Sequence, residues 1–191
     1  MKNRDILIPI ILFLSFPAGA QSDSSYSDIS YFVSIHSGGL LGKKAQGSSL
    51  SVSLVQGVRH NRFALGVGVG YDSYAEWQTV PLFASVAYDL AGRRRGAFFV
   101  MMNTGYSDAW NPLIDKDQFT YSEEGGFFFH PLLGYRRDIE KFSFYFSAGY
   151  KFQNLTYEQT PNWWIWGGQT RKVTISRDIQ RLSIQIGIGF R

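Results

Sequence analysis

Two of the three histidines, His36 and His130, are the side chains through which this chain could do acid–base chemistry. A histidine activates a hydroxyl only when the two lie within hydrogen-bond reach and a third group orients the ring. His36 with Ser34 or Ser37, completed by a loop acid such as Asp108 or Glu124, would make a serine, histidine and acid set for hydrolysis or acyl transfer. Neither histidine sits in a hydrolase motif, so the default reading makes both structural. The stretch Gly66-Val67-Gly68-Val69-Gly70 has the glycine content of a phosphate loop, but a nucleotide fingerprint needs other glycine spacing and a strand-to-helix turn. It reads as a strand. With no cysteine in 191 residues, disulfides and thiolate metal sites are excluded. No catalytic residue, cofactor or metal site is assigned.

The formal charge of +4 is modest, and the basic residues cluster, as at Arg93, Arg94 and Arg95 and at Arg136 and Arg137. A nucleic-acid groove spreads basic residues along one continuous face with stacking aromatics between them, so nucleic acid is not an expected partner. The clusters suit anionic lipid headgroups or peptidoglycan, and the simpler reading is solvated turns.

At the start of the chain, Lys2 and Arg4 precede an apolar run over 6–16, and Ala18-Gly19-Ala20 supplies small residues at cleavage positions. Residues 1–20 are therefore expected to be a signal peptide cut before Gln21, leaving 21–191 as the mature chain, with the folded part beginning near residue 28. The run falls short of the roughly 20 residues that cross a bilayer as a helix, and Pro9 and Pro17 interrupt it. No later apolar stretch reaches that length, so a membrane-embedded mature chain has to be a barrel.

The elements that must position the polar groups are strands. Phe63, Leu65, Val67, Val69 and Tyr71 share one face of their segment, while Ala64, Gly66, Gly68 and Gly70 share the other. The last segment repeats this, with Leu182, Ile184, Ile186, Ile188 and Phe190 opposite Ser183, Gln185, Gly187 and Gly189. The same test predicts eight strands, at 29–37, 50–58, 63–71, 80–88, 97–106, 126–135, 142–152 and 181–190. Connections after the even-numbered strands are short and those after the odd-numbered ones mostly longer, as in an antiparallel up-and-down barrel with short periplasmic turns. Pro131 would leave one ladder bond unmade, so a local bulge is expected there.

A soluble barrel covers its outside with polar groups, whereas here the face opposite the apolar one is mainly Gly, Ala and Ser. Such a face suits a narrow interior in which small residues leave room for a few polar side chains. His36, Asp89, His130, Arg136 and Lys151 fall on that inward phase, and ion pairs among the charged ones are expected to plug the lumen. On the outward face, Phe63 and Tyr71, Phe98 and Tyr106, Phe127 and Tyr135, and Phe142 and Tyr150 are each eight residues apart. Eight steps of about 3.4 Å, tilted by about 40°, rise about 21 Å, close to the apolar band of an outer-membrane barrel. The pairs are read as two membrane girdles, with tyrosine at the end next to the long loop.

The segments 63–71, Val80-Pro81-Leu82-Phe83 and Gly125-Gly126-Phe127-Phe128-Phe129-His130-Pro131 make residues 29–191 resemble the small eight-stranded outer-membrane β-barrels, the OmpA/OmpX-like class, and among them the barrel proteins common in Bacteroidetes. The resemblance implies an all-β, eight-stranded antiparallel transmembrane barrel in the outer membrane of a Gram-negative cell. It implies as partners outer-membrane lipids, lipopolysaccharide and the barrel insertion machinery. That machinery usually reads a terminal aromatic, which here is Phe190 followed by Arg191.

In the last long connection Trp163, Trp164, Ile165 and Trp166 precede Gly167-Gly168, and Val173 and Ile175 follow, which reads as a hairpin carried beyond the bilayer. Its tryptophans suit recognition of an unidentified surface ligand, or packing within the loops and on the outer girdle. Three function classes follow. They are a non-enzymatic structural or surface-recognition barrel, which is favoured, a narrow passive pore, and a lipid-modifying outer-membrane enzyme.

Overall fold

The computed structural model of the chain describes residues 29–42, 47–75, 77–93, 96–110, 119–161 and 173–191, with the backbone alone at 93, 119–124, 157–161 and 173–175. The leader expected at 1–20, Trp163, Trp164 and Trp166, and turn residues Arg94 and Arg95 lie outside the described residues.

Alternation of apolar and small residues produces strands throughout: β1 (Ile29–Leu41), β2 (Ser48–His60), β3 (Phe63–Ser73), β4 (Gln78–Arg93), β5 (Gly96–Trp110), β6 (Phe119–Glu124), β7 (Gly126–Ile139), β8 (Phe142–Pro161) and β9 (Val173–Phe190). Each pairs antiparallel with its neighbours, and β9 closes the sheet by pairing with β1. The result is the expected all-β, eight-stranded barrel. The sixth strand comes in two pieces: β6 continues the line of β7 along β8, and Gly125 separates them where an added Cβ would lie 1.9 Å from the Ser107 carbonyl oxygen.

Register fixes the size of the cylinder. Following paired residues around the ring from Ile29 through His60, Phe63, Tyr88, Val100, Leu133, Ala148 and Ile184 returns to β1 at Gly39, ten residues above the start. That stagger across eight strands tilts them by about 40° and sets a backbone radius of about 8 Å, room for side chains and little else. The short connections are tight. Asn61 and Arg62 join β2 to β3, Glu140 and Lys141 join β7 to β8, and the first residue of each turn takes a positive φ, 54° at Asn61 and 53° at Glu140.

Proline acts differently from the bulge expected at Pro131. Pairing of β7 with β8 skips His130 and Pro131 but resumes in the same register, and pairing with β5 runs straight through Pro131. The missing N–H therefore costs bonds on one edge without inserting a residue. The bulge in this sheet lies instead at Leu90, between Asp89 and Ala91 of β4.

Inside and outside follow the expected phases. Ser34 and His36, Asp72, Phe83 and Ser85, Asn103, Phe128 and His130, Lys151 and Gln153, and Ser183 and Gln185 are buried, while Leu65, Val67, Leu82, Leu133, Phe146 and Ile186 are exposed. Inward glycines give bulky lumen groups their space. A Cβ at Gly68 would lie 2.5 Å from the Phe83 ring, one at Gly134 2.6 Å from the Phe99 ring, and one at Gly187 2.5 Å from His36 Nδ1. Gly187→Leu should accordingly lower stability by about 1–3 kcal/mol through overpacking. The check is the urea midpoint of the protein refolded in detergent, with outward Ile186→Leu as a control that leaves it unchanged.

Candidate functional site

Because the strands present alternate residues to the lumen, every polar group there is held by a rigid wall, and the interior divides into layers. At the short-turn end Arg136 bonds both Asp89 oxygens at 3.0 Å and reaches Asp138 at 3.1 and 3.2 Å. Arg59 approaches Asp89 at 3.5 Å, Ser143 donates to Asp138 at 2.6 Å, and Arg191 lies 3.7 Å from Asp138. Asp89 and Arg136, both expected on the inward phase, are thus paired with each other, whereas Lys151 pairs with Asp72. Arg136 is thereby withdrawn from the basic cluster in which the sequence grouped it with Arg137.

Above this layer, Phe99, Met101 and Leu132 form an apolar slab against Tyr145, whose ring meets the His36 ring edge-on at 5.1 Å. Val55, Phe83 and Phe128 make a second slab. Next comes Lys151, which donates to Asp72 at 2.5 Å and sits 4.8 Å over the Phe128 ring, with Thr79 donating to the same carboxylate at 3.3 Å. Gln153 bridges Ser107 at 2.9 Å and the Tyr74 hydroxyl at 3.1 Å. Asp72, Lys151, Arg136 and Asp138 thus each have an opposite charge within reach, the condition for their burial to be tolerated.

At the long-loop end, Tyr74 and Trp77 fold back from the connection between β3 and β4 and pack with Leu40, Ala109, Leu155 and Ile179. A hydrogen bond from the Tyr74 amide to the Trp77 carbonyl, 2.8 Å, closes that connection. Burial, and next the Asp72 charge, push the Tyr74 hydroxyl well above its ordinary pKa, which keeps it a donor to Gln153. Asp72, Tyr74, Trp77 and Asp138 were not singled out from sequence, although Asp72 continues the inward phase of Gly68 and Gly70.

The histidines occupy the lumen positions expected of them. His36 Nε2 lies 3.0 Å from Ser34 Oγ, and His130 Nε2 lies 2.7 Å from Ser183 Oγ, a partner 53 residues away that sequence reasoning did not find. His36 Nδ1, where an orienting carboxylate would bond, has no hydrogen-bond partner. Asp108 turns its carboxylate to its own strand, accepting from the Ala109 amide at 3.1 Å, and the Glu124 side chain lies outside the described residues. Both rings are 2% exposed. The internal cavities beside them, about 20 Å³ at His36 and about 10 Å³ at His130, admit roughly one water each and no substrate. Among the described residues no cluster of His, Cys, Asp and Glu could hold a metal ion.

Outside, the aromatics form two exposed rings. At the short-turn end Phe63 meets Tyr88 at 4.7 Å, Phe98 meets Tyr135 at 5.1 Å and Phe142 meets Phe190 at 4.9 Å, each pair with its rings tilted. Tyr71, Tyr106, Phe127 and Tyr150 lie toward the long loops, with Tyr106 opposite Phe127 in the register. This corrects one expectation. Three of the tyrosines are at the long-loop end, but Tyr135 is at the short-turn end, because β7 runs in the opposite direction to β3, β5 and β8.

Two strands outgrow the cylinder. β8 runs eleven residues past Tyr150 to Pro161, pairs with β9 up to Gln159 and Val173, and carries β6 on its other edge. β8 and β9 are paired well past Tyr150, while the arm and turn expected at 163–168 lie outside the described residues, and the third strand, β6, was not anticipated.

A closed, filled, eight-stranded antiparallel cylinder with apolar residues outside and polar ones within is the fold of the small outer-membrane β-barrels. No family model and no curated protein matches the chain. Among solved structures it is similar to Neisserial surface protein A, at 13% identity and a TM-score of 0.57 over 87% of this chain and 99% of that one. It is also similar to the outer membrane protein OprG from Pseudomonas aeruginosa, at 10% identity and a TM-score of 0.59 over 84% and 94%. These likenesses concern the fold.

Proposed function

We propose that this chain is an exported, non-enzymatic outer-membrane barrel of the small OmpA/OmpX-like kind, displaying a recognition surface on its long-loop side. In this reading residues 1–20 direct export and are removed, the insertion machinery places the barrel, and the two aromatic rings sit at the interfaces with lipid and lipopolysaccharide. The observation that carries it is the contrast between a lumen packed with ion-paired layers and a sheet of β6, β8 and β9 that continues well beyond the cylinder. In this reading the segment that joins β8 to β9 in sequence, with Trp163, Trp164 and Trp166, is the recognition element.

The test is surface binding by cells that express the protein, measured against glycans, proteins and lipopolysaccharide. Replacing Trp163, Trp164 and Trp166 together by alanine should lower binding at least about tenfold while the barrel still folds, since aromatic anchors carry about 2 kcal/mol or more each. Unchanged binding removes the recognition role. Stable conductance in planar bilayers would put the narrow pore in its place, and a mass change in lipid A dependent on the protein would put the enzyme there.

A further inference from the structure

At the short-turn end, exposed charge among the described residues is almost all of one sign. Arg62 lies in the turn next to Phe63, Arg137 is two residues beyond Tyr135 on the same outward face, Lys141 adjoins Phe142, and Arg191 follows Phe190. All four are exposed. The acids of this end are spent elsewhere. Asp89 and Asp138 face the lumen and are held by Arg136 and Arg59, with Arg191 also 3.7 Å from Asp138, leaving exposed Glu140, with Asp28 just ahead of β1 in sequence. Basic residues thus sit directly below three tilted aromatic pairs, around much of the circumference.

We infer that this rim is a collar for anionic phospholipid headgroups of the periplasmic leaflet. The aromatic pairs place the hydrocarbon boundary, and guanidinium and ammonium groups one or two residues past it meet the phosphate layer, where their charge is complementary to acidic lipid. Arginine suits the purpose because its planar fork bonds two phosphate oxygens at once. The inference rests on the membrane reading above.

The test is the association of spin-labelled lipids with the purified barrel in bilayers of phosphatidylcholine. Labelled phosphatidylglycerol should bind about five times better than labelled phosphatidylcholine, and this preference should fall toward one in 0.5 M salt. It should also fall toward one in the variant combining Arg62→Gln, Arg137→Gln, Lys141→Gln and Arg191→Gln. Outward Ile186→Leu should leave it intact. Equal binding of the two lipids, or a preference that survives the four substitutions, overturns the collar while leaving the membrane reading in place. Absence of any motionally restricted lipid would instead overturn the membrane reading itself. If the four substitutions abolish cosedimentation with isolated peptidoglycan and leave lipid preference unchanged, the rim belongs to the cell wall and the lipid assignment fails.

Discussion

Lys151→Met is expected to destabilise the folded barrel by about 3–5 kcal/mol, the cost of stranding a buried charge. Lys151 and Asp72 are 3% and 1% exposed at their side chains, so water cannot take over when the ammonium is removed. Thr79 would remain as a single neutral donor to the carboxylate. Pairing the substitution with Asp72→Asn should recover much of the loss, because two neutral groups of nearly the original shape replace one orphaned ion. Urea unfolding of the protein refolded in detergent or vesicles gives the four corners of this cycle. A coupling of about 2–3 kcal/mol is expected between the two sites. Additive losses would mean that the lumen is wet enough to screen the pair, and the picture of a sealed interior would have to be abandoned.

Val67→Arg tests the other face. Val67 lies midway between Phe63 and Tyr71 on β3, is exposed, and points away from the lumen. In an outer-membrane barrel an arginine at the bilayer midplane costs about 2–4 kcal/mol, and the cost falls to about 0–1 near the interfaces. Tyr71→Arg, four residues nearer the outer rim, should therefore be far milder in electrostatic cost. On a face in contact with water the same Val67→Arg change would stay within about 0.5 kcal/mol. Folding free energies in lipid vesicles for the two variants give the depth profile, and a flat profile counts against hydrocarbon on the outside.

Much of the fold could be read from the residues because a period of two has one meaning for a closed sheet. Once Leu65 and Ile186 were placed outward, Ser34, His36, His130, Arg136 and Lys151 had to face inward, and they do. Strand ends were harder. The sequence reading stopped β3 at Tyr71, where the aromatic marks the apolar boundary, so Asp72 was left out even though it is the next inward position and the partner of Lys151. β6 is hard to read because Gly125 interrupts the alternation, and the reason for a glycine there, the Ser107 carbonyl 1.9 Å from where a Cβ would lie, is on another strand. The link between His130 and Ser183 depends on the stagger of the whole barrel, which no single segment encodes. Tyr135 lies at the short-turn end because β7 descends where β3, β5 and β8 ascend. A spacing of eight residues looks the same on ascending and descending strands, but its first and last members trade places.

The most direct measurement uses the absence of cysteine in the chain. Single cysteines at Leu65, Val67 and Ile186, and at the lumen positions Ser34 and Ser183, can each carry a nitroxide without competing sites. In lipid bilayers the first three should be relaxed strongly by oxygen, which concentrates in hydrocarbon, and weakly by a water-soluble nickel complex. The lumen pair should be nearly insensitive to both. Strong relaxation of Leu65, Val67 and Ile186 by nickel, in a mature chain that stays dispersed without detergent, would contradict the account at its root.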